Sequence, residues 1–560
     1  MNKVFGIDLG TTYSCVAYID ENNNPTVLKN SEGDLTTPSV VFFDEGNNIL
    51  VGESAKESSK MYPEKSISFA KRSIGQENSK MFVNGKELSP AEISSYILKK
   101  IVKDANDSLR MEGKLQENES IKDVVITCPA YFGINERAAT KTAGELAGLN
   151  VLQIINEPTA AAITYGVIDN NTEKTILVYD LGGGTFDVTI IHVKPGEIRV
   201  ICTGGDHMLG GKDWDDTVIL YVEDEFKKQT GMSDNILDDP ETLQEITLAV
   251  EKAKKLLSSK EKAPISINYK GARAKIEITR EKFDELTKPL LERTISLTNG
   301  MIVEANKKGF SKNSIDEILL VGGSSKMPQI ASAIKQEFNK EPKMFDPDEA
   351  VAKGAAIFAL KEKDYNILLG ELSDATGKTK EELKDDIDSG KTNINEIANK
   401  AGVPIDARRL ASSEGIKIIN VSSRSFGVIA LNNKNEEKLF NIIFKNDSLP
   451  KEATQTFYPS EENQKNVRIK VLENLSSDAE NDVSLGKDVG EAELLLPSNM
   501  SKDIAINITF KLNSSGLLEI KAVETKTNTS IEAKFDVKED LKEEEKKEAI
   551  RRVENSNLSW

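Results

Sequence analysis

Two segments of the sequence repeat one design, in which an apolar run ends in an aspartate and continues into a turn of glycine and threonine. The first segment, 5–13, contains Asp8, and the second, 178–187, contains Asp180. Glycine lets backbone N–H groups approach a phosphate closely, threonine hydroxyls add donors, and strand-end carboxylates can hold Mg²⁺ through water. One such turn is weak evidence, because many hairpins contain one. Two copies predict a duplicated fold whose halves close on a nucleotide from both sides.

A third glycine turn has a similar local pattern. The apolar segment 318–321 is followed by Gly322, Gly323, Ser324 and Ser325, and then by a helical pattern. Backbone amides at a turn between a strand and a helix can face a ribose or a phosphate. An ordinary connection between a strand and a helix has the same appearance, so this turn alone does not decide the function.

The elements that position these turns change along the chain. Up to about residue 360, short β-branched runs alternate with longer amphipathic segments, which predicts an α/β domain. From residue 418 to about 537, strand-like runs separated by Asn, Ser, Gly and Asp turns predict an antiparallel β domain. The predicted units are an α/β domain (1–362), a helical insertion (363–415), a linker (416–421), the β domain (422–537) and a short charged C-terminal helix (538–560).

Composition excludes several classes of function. The 560 residues carry 91 acidic and 73 basic side chains, a formal net charge of −18, and such a surface disfavours nucleic acids and anionic membranes as partners. No stretch approaches the ~20 uninterrupted apolar residues of a membrane helix, and no secretory signal is visible, which predicts a cytoplasmic protein. Two histidines and three widely spaced cysteines leave little scope for a histidine triad, a zinc cage or disulfides. Carboxylates, lysine, threonine and backbone groups would therefore carry any catalysis.

Two further phrases complete a pattern that extends through nearly all of residues 1–360. They are Ile-Asn-Glu-Pro-Thr-Ala-Ala-Ala at 155–162 and Asp-Pro-Asp-Glu-Ala-Val-Ala at 346–352. Together with the three glycine turns, they resemble the ATPase domain of the 70-kDa heat-shock (DnaK-type) chaperones. The resemblance implies an α/β actin-like ATPase domain with two lobes around a nucleotide cleft, followed by an antiparallel β-sandwich that binds peptides. It also implies an ATP-dependent chaperone of the stress response, with ATP or ADP and Mg²⁺ as cofactors.

The resemblance assigns roles to individual residues. Hydrolysis is expected to depend on Asp8, Lys71, Glu157, Asp180, Thr185 and Asp187, of which Asp8, Asp180 and Glu157 are expected to hold Mg²⁺ largely through water. The nucleotide is expected to contact Gly10, Thr11, Thr12, Tyr13, Gly182, Gly183, Gly184, Glu251, Lys254, Ser258, Gly322, Gly323, Ser324 and Asp348. Lys255 and Lys326 stand where the family often has arginines that stack on adenine, which predicts a lower affinity for adenosine.

The β domain resembles the family's peptide-binding sandwich more loosely. A groove for an extended apolar peptide is expected to be formed by Val428, Leu431, Phe457, Ser460, Gln464, Val467 and Ile469. The alternative is that these side chains belong to the core of the sandwich. A single helix at 538–560 stands where the family has a lid of several helices, which predicts fast peptide exchange even with ADP bound.

The expected partners are unfolded or extended client polypeptides, a J-domain cochaperone and a nucleotide exchange factor. Gln153 stands where an arginine commonly helps to dock J-domains, which predicts an altered J-domain partner. Two other functions stay open. A non-hydrolysing or uncoupled chaperone-like regulator would share most of the motifs, although Lys71 and Thr185 favour hydrolysis. A metabolite kinase of the same fold would need a pocket for a sugar or acid, and the C-terminal β domain speaks against it.

Overall fold

The computed structural model describes residues 3–76, 79–168, 173–195, 197–388, 391–404, 417–497, 500–513, 516, 518–535 and 543–558. The helices are α1 (Glu53–Ser58), α2 (Pro90–Met111), α3 (Ile134–Leu146), α4 (Glu157–Ile168), α5 (Gly211–Thr230), α6 (Pro240–Leu257), α7 (Arg280–Lys307), α8 (Pro328–Phe338), α9 (Ala350–Thr376), α10 (Lys380–Asp388), α11 (Ile394–Ala401) and α12 (Glu543–Glu554).

The strands fall into an N-terminal and a C-terminal group. The N-terminal strands are β1 (Phe5–Asp8), β2 (Tyr13–Ile19), β3 (Pro25–Val27), β4 (Thr37–Pro38), β5 (Val40–Phe43), β6 (Asn48–Val51), β7 (Ser66–Ser68), β8 (Met81–Val83), β9 (Lys86–Leu88), β10 (Asp123–Cys128), β11 (Asn150–Asn156), β12 (Lys174–Leu181), β13 (Phe186–Lys194), β14 (Glu197–Asp206), β15 (Lys262–Tyr269), β16 (Ala272–Thr279), β17 (Glu317–Val321) and β18 (Lys343–Met344). The C-terminal strands are β19 (Lys417–Ile419), β20 (Ser425–Leu431), β21 (Glu437–Ile443), β22 (Lys451–Phe457), β23 (Asn466–Asn474), β24 (Glu480–Asn481), β25 (Lys487–Leu495), β26 (Ile506–Leu512), β27 (Leu518–Glu524), β28 (Ser530–Phe535) and β29 (Asn557–Leu558).

Two sheets with the same connectivity form the two lobes of the α/β domain. In lobe I (residues 3–168), β1 pairs antiparallel with β2 and parallel with β10. In lobe II (residues 173–349), β12 pairs antiparallel with β13 and parallel with β17. The Val-, Ile- and Leu-rich central strands are buried, as parallel strands covered by helices require. The repeated sequence motif thus begins two copies of one structural unit, and the α/β fold class is confirmed.

Small residues allow α9 to pack closely on α4 and β1. A Cβ atom at Gly354 would overlap the backbone of Ala160, and one at Gly6 would overlap the backbone of Ala356. The alanines of α4 and α9 that face each other are fully buried. The alanine-rich phrase that follows Glu157 therefore has a packing role in addition to any role in the site.

The helix α9 continues past the α/β domain. The predicted boundary between residues 362 and 363 lies within α9, because the helix continues unbroken to Thr376. Lys363 Nζ lies 2.8 Å from Asp123 Oδ2 and fixes this part of α9 to lobe I. Beyond it, α10 and α11 fold back on α9 around a separate apolar core of Leu368, Leu369, Leu372, Leu383, Ile394, Ile397 and Ala398. Residues 405–416 of the predicted insertion and linker lie outside the described residues.

Two antiparallel sheets form the C-terminal β-sandwich. Their strand orders are β24-β21-β20-β23-β25 and β22-β26-β27-β28. The strands alternate buried and more exposed residues, most regularly along β26, because one face of each sheet packs on the other. Phe510, Val471 and Ile443 are fully buried at the centre of this core. The antiparallel β-sandwich expected from the sequence is confirmed.

The sandwich is connected to both lobes. Strand β19, in the predicted linker, pairs parallel with β14 and extends the sheet of lobe II. On lobe I, Ser423 Oγ donates to the Phe132 carbonyl at 2.9 Å, and Ile134 packs into the sandwich core. Lys487 Nζ lies 3.0 Å from Glu136 Oε1 in α3.

The helix α12 packs against α2 and α3 of lobe I. Arg552 donates from two nitrogens to the buried carboxylate of Glu92 at 2.8 and 2.9 Å, and Val553 enters the core of lobe I. Strand β29 then pairs parallel with β6. None of the helices among the described residues combines the length and apolar character needed to cross a membrane.

Candidate nucleotide site

The two lobes face each other across a cleft of about 710 Å³. Most of the predicted nucleotide and catalytic residues line this cleft: Asp8, Gly10, Thr11, Thr12, Tyr13, Lys71, Glu157, Asp180, Gly182, Gly183, Thr185, Glu251, Lys254, Ser258, Gly322, Gly323, Ser324 and Asp348. Gly184 and Asp187 lie behind the lining, where Gly184 packs on Thr11 and Asp187 is buried. The structure therefore brings the three glycine turns to one place.

The first two glycine turns touch each other across the cleft. A Cβ atom at Gly183 would overlap the side chain of Thr12, and one at Gly184 would overlap the side chain of Thr11. Gly182 N donates to the Thr185 carbonyl at 3.0 Å and closes the second turn. Only glycine permits this approach, which brings the backbones of the two turns to the same part of the cleft. Such paired turns are suited to a chain of phosphates.

Lys71 enters the cleft from a 3₁₀ turn, Ala70–Ser73, that follows β7. Its Nζ donates to Glu157 Oε1 at 2.5 Å and to the Leu9 carbonyl, and the side chain is 4% exposed. Burial alone would lower the pKa of Lys71, but Glu157 and Asp8 raise it above its ordinary value. Lys71 is therefore a fixed positive charge beside the first glycine turn.

Buried aspartates surround the Lys71–Glu157 pair. Burial raises the pKa of Asp8 to about 7, and Glu157 adds to the effect. Burial and Glu157 also hold the pKa values of Asp180 and Asp187 well above the usual range. Four carboxyl groups around one lysine therefore resist simultaneous ionisation, and a bound cation would favour their charged forms.

The oxygen donors of this cluster fit Mg²⁺, which prefers oxygen ligands and retains several waters. Among the described residues, no three His, Cys, Asp or Glu side chains are close enough together to hold a metal ion.

An ionic cluster joins the two lobes at the other end of the cleft. Glu251 in α6 lies 2.6 Å from Lys56 Nζ in α1 and 2.8 Å from Lys255 Nζ. The Tyr13 hydroxyl lies 3.0 Å from Lys56 Nζ and 3.2 Å from Glu251 Oε1. Burial alone would raise the pKa of Glu251, but the two lysines lower it to about 2. This carboxylate is therefore charged whenever the protein is folded near neutral pH.

Sequence reasoning missed two members of the site, Lys56 and Asp215. Lys254 Nζ donates to Asp215 Oδ2 at 2.6 Å and to the Gly211 carbonyl at 2.8 Å. Burial raises the pKa of Asp215 to about 6, although Lys254 opposes the rise. The one available signal was the spacing of four residues between Gly211 and Asp215, which places them on one face of α5.

The two lysines that stand in place of expected arginines both have neighbours. Lys255 Nζ lies 4.5 Å from the centre of the Tyr13 ring, and Lys326 pairs with Asp348. Neither side chain can supply the planar guanidinium that stacks on a base.

The apolar residues predicted to form a peptide groove differ in exposure and divide into three sets. Val428 and Ile469 are each 2% exposed and belong to the sandwich core, so in this conformation they are closed to a peptide. Phe457 and Val467 are half-buried at the margin of that core. Leu431, at the end of β20, is 47% exposed. Leu431 is therefore the most accessible of the five.

The two polar groove candidates contact each other in the loop between β22 and β23. Ser460 N donates to Gln464 Oε1 at 2.9 Å, and Gln464 Nε2 donates to the Asn466 carbonyl at 2.7 Å. The Ser460 side chain is exposed and that of Gln464 is half-buried. Their hydrogen bonds order this loop beside the margin of the core.

The two-lobed cleft and the docked β-sandwich together define an actin-like ATPase with an appended binding domain. The sequence model of the family described as Hsp70 protein matches residues 4–373 and 391–559. The chaperone protein DnaK of Thermosipho melanesiensis is 37% identical over 533 residues, which cover 94% of this chain and 78% of that protein. The chain belongs to the Hsp70 family and is an ATPase chaperone.

The family match is interrupted at residues 374–390. This stretch holds the end of α9 and all of α10. The first of the two helices that fold back on α9, α10, is therefore where this chain departs from the family pattern, whereas α11 lies within the matched residues.

Proposed function

We propose that this chaperone hydrolyses ATP to control the binding and release of extended apolar segments of unfolded polypeptides in the cytoplasm. The observation that carries the proposal is that a buried lysine, the carboxyl groups of Asp8, Glu157 and Asp180, and two interlocked glycine turns meet in one cleft. Transfer of a phosphoryl group to water needs positioning and charge stabilisation more than covalent help. The scarcity of histidine is no obstacle to that chemistry.

Each side of the cleft has a part in the proposed hydrolysis. Lys71 stabilises the charge that develops on the γ-phosphate, since it is cationic and fixed beside the first turn. Thr185 and Asp187 orient the attacking water. The glycine turns 10–13 and 182–184 hold the β- and γ-phosphates through threonine hydroxyls and through backbone amides other than those of Gly10 and Gly182, which already donate to Ser14 Oγ and to the Thr185 carbonyl.

The cation and the adenosine are assigned to the remaining predicted residues. Asp8, Asp180 and Glu157 hold Mg²⁺ through water, and the ion, when bound, neutralises phosphate charge. The adenosine is held by Glu251, Lys254, Ser258, Gly322, Gly323, Ser324 and Asp348, which line the same cleft.

Attachment of the sandwich to both lobes supports coupling between the two domains. Strand β19 extends the sheet of lobe II, whereas Ser423 and Lys487 bond to lobe I. A change in the angle between the lobes would displace these two attachments relative to each other. The nucleotide would then bias the position of the sandwich, and with it the release of the peptide.

Family membership implies client polypeptides and cochaperones as partners. We infer more specifically a J-domain protein and a nucleotide exchange factor. Gln153 and Asn420 line one small cavity between lobe I and the sandwich. Thr159 Oγ1 donates to Asn420 Oδ1 at 3.4 Å, so the linker contacts α4 there. The altered J-domain partner is expected to bind beside this cavity.

The test is single-turnover hydrolysis of ATP by the wild type and by Lys71→Ala, each with and without an apolar model peptide. We expect slow hydrolysis that the peptide accelerates and that Lys71→Ala abolishes. The control is Lys228→Ala, because Lys228 is an exposed lysine of α5 that pairs only locally with Glu225. This control should hydrolyse ATP at the wild-type rate.

Hydrolysis that is indifferent to peptide would contradict the coupling, and the β domain would then serve another partner. Hydrolysis by Lys71→Ala at the wild-type rate would contradict the catalytic assignment. No hydrolysis by any of the proteins would favour a non-hydrolysing regulator.

A further inference from the structure

Arg72 follows Lys71 in the same 3₁₀ turn, but its side chain leaves lobe I. Arg72 Nε donates to the Gly184 carbonyl at 2.9 Å, and its two terminal nitrogens donate to the carboxylate oxygens of Asp213 at 2.5 and 3.4 Å. The Arg72 side chain is 8% exposed. Both partners belong to lobe II. One short turn thus carries two basic side chains: Lys71 bonds within lobe I, and Arg72 bonds to lobe II.

The contact at Gly184 completes a regular set of bonds behind the second glycine turn. Gly211 N donates to the Gly182 carbonyl at 3.0 Å, and Lys212 N donates to the Gly183 carbonyl at 2.8 Å. The carbonyls of Gly182 and Gly183 are therefore held by the start of α5, in lobe II itself. The third carbonyl in the series, that of Gly184, is held by Arg72 from lobe I.

Asp213 connects this contact to the start of α5. Its Oδ2 accepts a hydrogen bond from Gly210 N at 2.7 Å, in addition to the bond from Arg72. A carboxylate in the first turn of a helix satisfies free N–H groups and complements the positive end of the helix dipole. The same carboxylate therefore orders α5 and receives the arginine of the opposite lobe.

A peptide unit is planar, so its carbonyl and its N–H group point in opposite directions. Fixing the Gly184 carbonyl on Arg72 therefore also fixes the N–H group of Thr185. Gly210 leaves no room for movement on that side, because a Cβ atom there would contact the backbone of Gly184 and Thr185. The orientation of Thr185 is thus set jointly by the two lobes.

We propose that Arg72 is a positioning residue of the ATPase, which fixes the position of the Gly184–Thr185 peptide unit relative to Lys71. Because Arg72 belongs to lobe I and the peptide unit to lobe II, this relative position depends on closure of the two lobes. This inference rests on the proposed function. An arginine is suited to the role because its planar fork can bond a carboxylate and a carbonyl at once, whereas a lysine supplies a single flexible ammonium group.

The test measures single-turnover hydrolysis over a range of ATP concentrations for Arg72→Ala, Arg72→Lys, Asp213→Asn and the double variant Arg72→Ala/Asp213→Asn. We expect Arg72→Ala to lower the maximal rate by about 100-fold, the effect of a small misplacement of reacting groups. The ATP concentration for half-maximal rate should change by less than about threefold, because the other phosphate and adenosine contacts remain.

Two comparisons separate positioning from a general structural role. Arg72→Lys should recover part of the rate, because an ammonium group can pair with Asp213 while leaving the Gly184 carbonyl unbonded. The double variant should be no slower than Arg72→Ala, because both changes break one interaction. The matched control is Arg110→Ala, which loses a local ion pair with Asp107 on α2 and should retain the wild-type rate.

A maximal rate for Arg72→Ala within twofold of the wild type would overturn the inference, as would effects that multiply in the double variant. If Arg72→Ala unfolds, Arg72→Lys and Asp213→Asn carry the same test because they nearly preserve volume. Hydrolysis that Lys71→Ala abolishes and the arginine variants leave unchanged would refute this inference while leaving the proposed function intact.

Release of a fluorescent ADP analogue provides a second readout that does not need hydrolysis. Arg72→Ala should accelerate this release about tenfold, because the bridge between the lobes is lost. Unchanged release would count against the bridge even if the wild type proved unable to hydrolyse ATP.

Discussion

The nucleotide cleft and the β-sandwich bury opposite kinds of side chain. The cleft region holds Lys71, Glu157, Asp180 and Asp187 away from solvent, so ionisable groups are buried together and burial raises the pKa of both aspartates. The sandwich buries a large apolar core between its sheets, and Ile469 is typical of it. Buried like charges oppose folding, whereas buried apolar area favours it. The cleft therefore retains buried ionisable groups that a bound nucleotide and cation would balance, while the sandwich is stabilised by its own packing.

The largest effect is expected from neutralising a carboxylate in the cleft. Asp187→Asn should lower the single-turnover hydrolysis rate by about 100-fold or more, since the group proposed to orient water loses its charge. The same change removes a carboxyl group whose ionisation is opposed by burial and by Glu157, so the free energy of unfolding of the nucleotide-free protein should stay equal or increase. Stopped-flow phosphate release and denaturant titration measure the two quantities.

Asp234→Asn is the control, because Asp234 forms an exposed ion pair with Lys270 and should alter neither quantity. If Asp187→Asn lowered the free energy of unfolding by as much as it raised the activation free energy of hydrolysis, the contrast between the two regions would be contradicted.

The next largest effect is expected in the sandwich, where the contrast should be reversed. Ile469→Ala should lower the free energy of unfolding of the sandwich by about 3 kcal/mol, because it leaves a cavity in the core. Leu431→Ala should lower it by less than about 0.5 kcal/mol, because Leu431 is exposed, but should weaken binding of an apolar peptide several-fold. Denaturant unfolding and peptide fluorescence anisotropy provide the measurements. Weaker peptide binding by a fully stable Ile469→Ala would place that residue in the groove instead.

The two regions differ in how far their residues could be assigned from the sequence. Glycine turns such as 182–184 come at the ends of strands and lie beside an aspartate. This pattern has few purely structural uses, so it could be assigned to a phosphate site from the sequence. Apolar residues such as Val428 and Leu431 alternate along a strand in the same way whether they face a core or a groove. Their exposure depends on how the two sheets stack, which the sequence does not give residue by residue.

Contacts between the lobes were beyond sequence reasoning for a related reason. Lys56 meets Glu251 and Arg72 meets Asp213 because the lobes close, and these partners are far apart along the chain.

A change of composition is also a poor marker of a helix end. The lysine- and acid-rich texture after residue 362 suggested a new unit, yet the helical apolar spacing persists to Leu372 and α9 continues.

A smaller effect is expected at the interface where the two regions meet. Glu473 in β23 is buried against lobe I, where Ile134 N donates to its Oε2 at 3.4 Å. Burial and the nearby Glu136 raise the pKa of Glu473, and Arg424 and Lys487 only partly oppose the rise. Docking therefore favours the protonated acid. The favourable contribution of Glu473 to docking is greatest below the ordinary glutamate pKa of 4.5. This contribution is lost as the pH rises through the higher pKa that Glu473 has in the docked state.

Glu473→Gln should remove this pH dependence and favour docking at pH 7 by about tenfold, because the amide carries no charge. Energy transfer between one dye on lobe I and one on the sandwich, recorded with ATP from pH 5 to 8, would measure it. Glu480→Gln is the control, because Glu480 is an exposed residue of β24. Docking of the wild type that strengthens as the pH rises would refute the assignment.

The smallest effect is expected at the adenosine end of the cleft, where charge is less buried than around Lys71. Lys326 is 46% exposed and pairs with the similarly exposed Asp348, so replacing it should barely affect stability. Lys326→Arg would add a planar guanidinium able to stack on adenine, and the affinity for ADP should rise about two- to fivefold at an unchanged maximal hydrolysis rate. Isothermal titration calorimetry, with Lys326→Ala as the matched control, would measure this. Equal ADP affinity in the arginine and wild-type proteins would mean that position 326 does not face the base. A rise in affinity would mean that adenosine binding can be tuned separately from the buried charges that act on the phosphates.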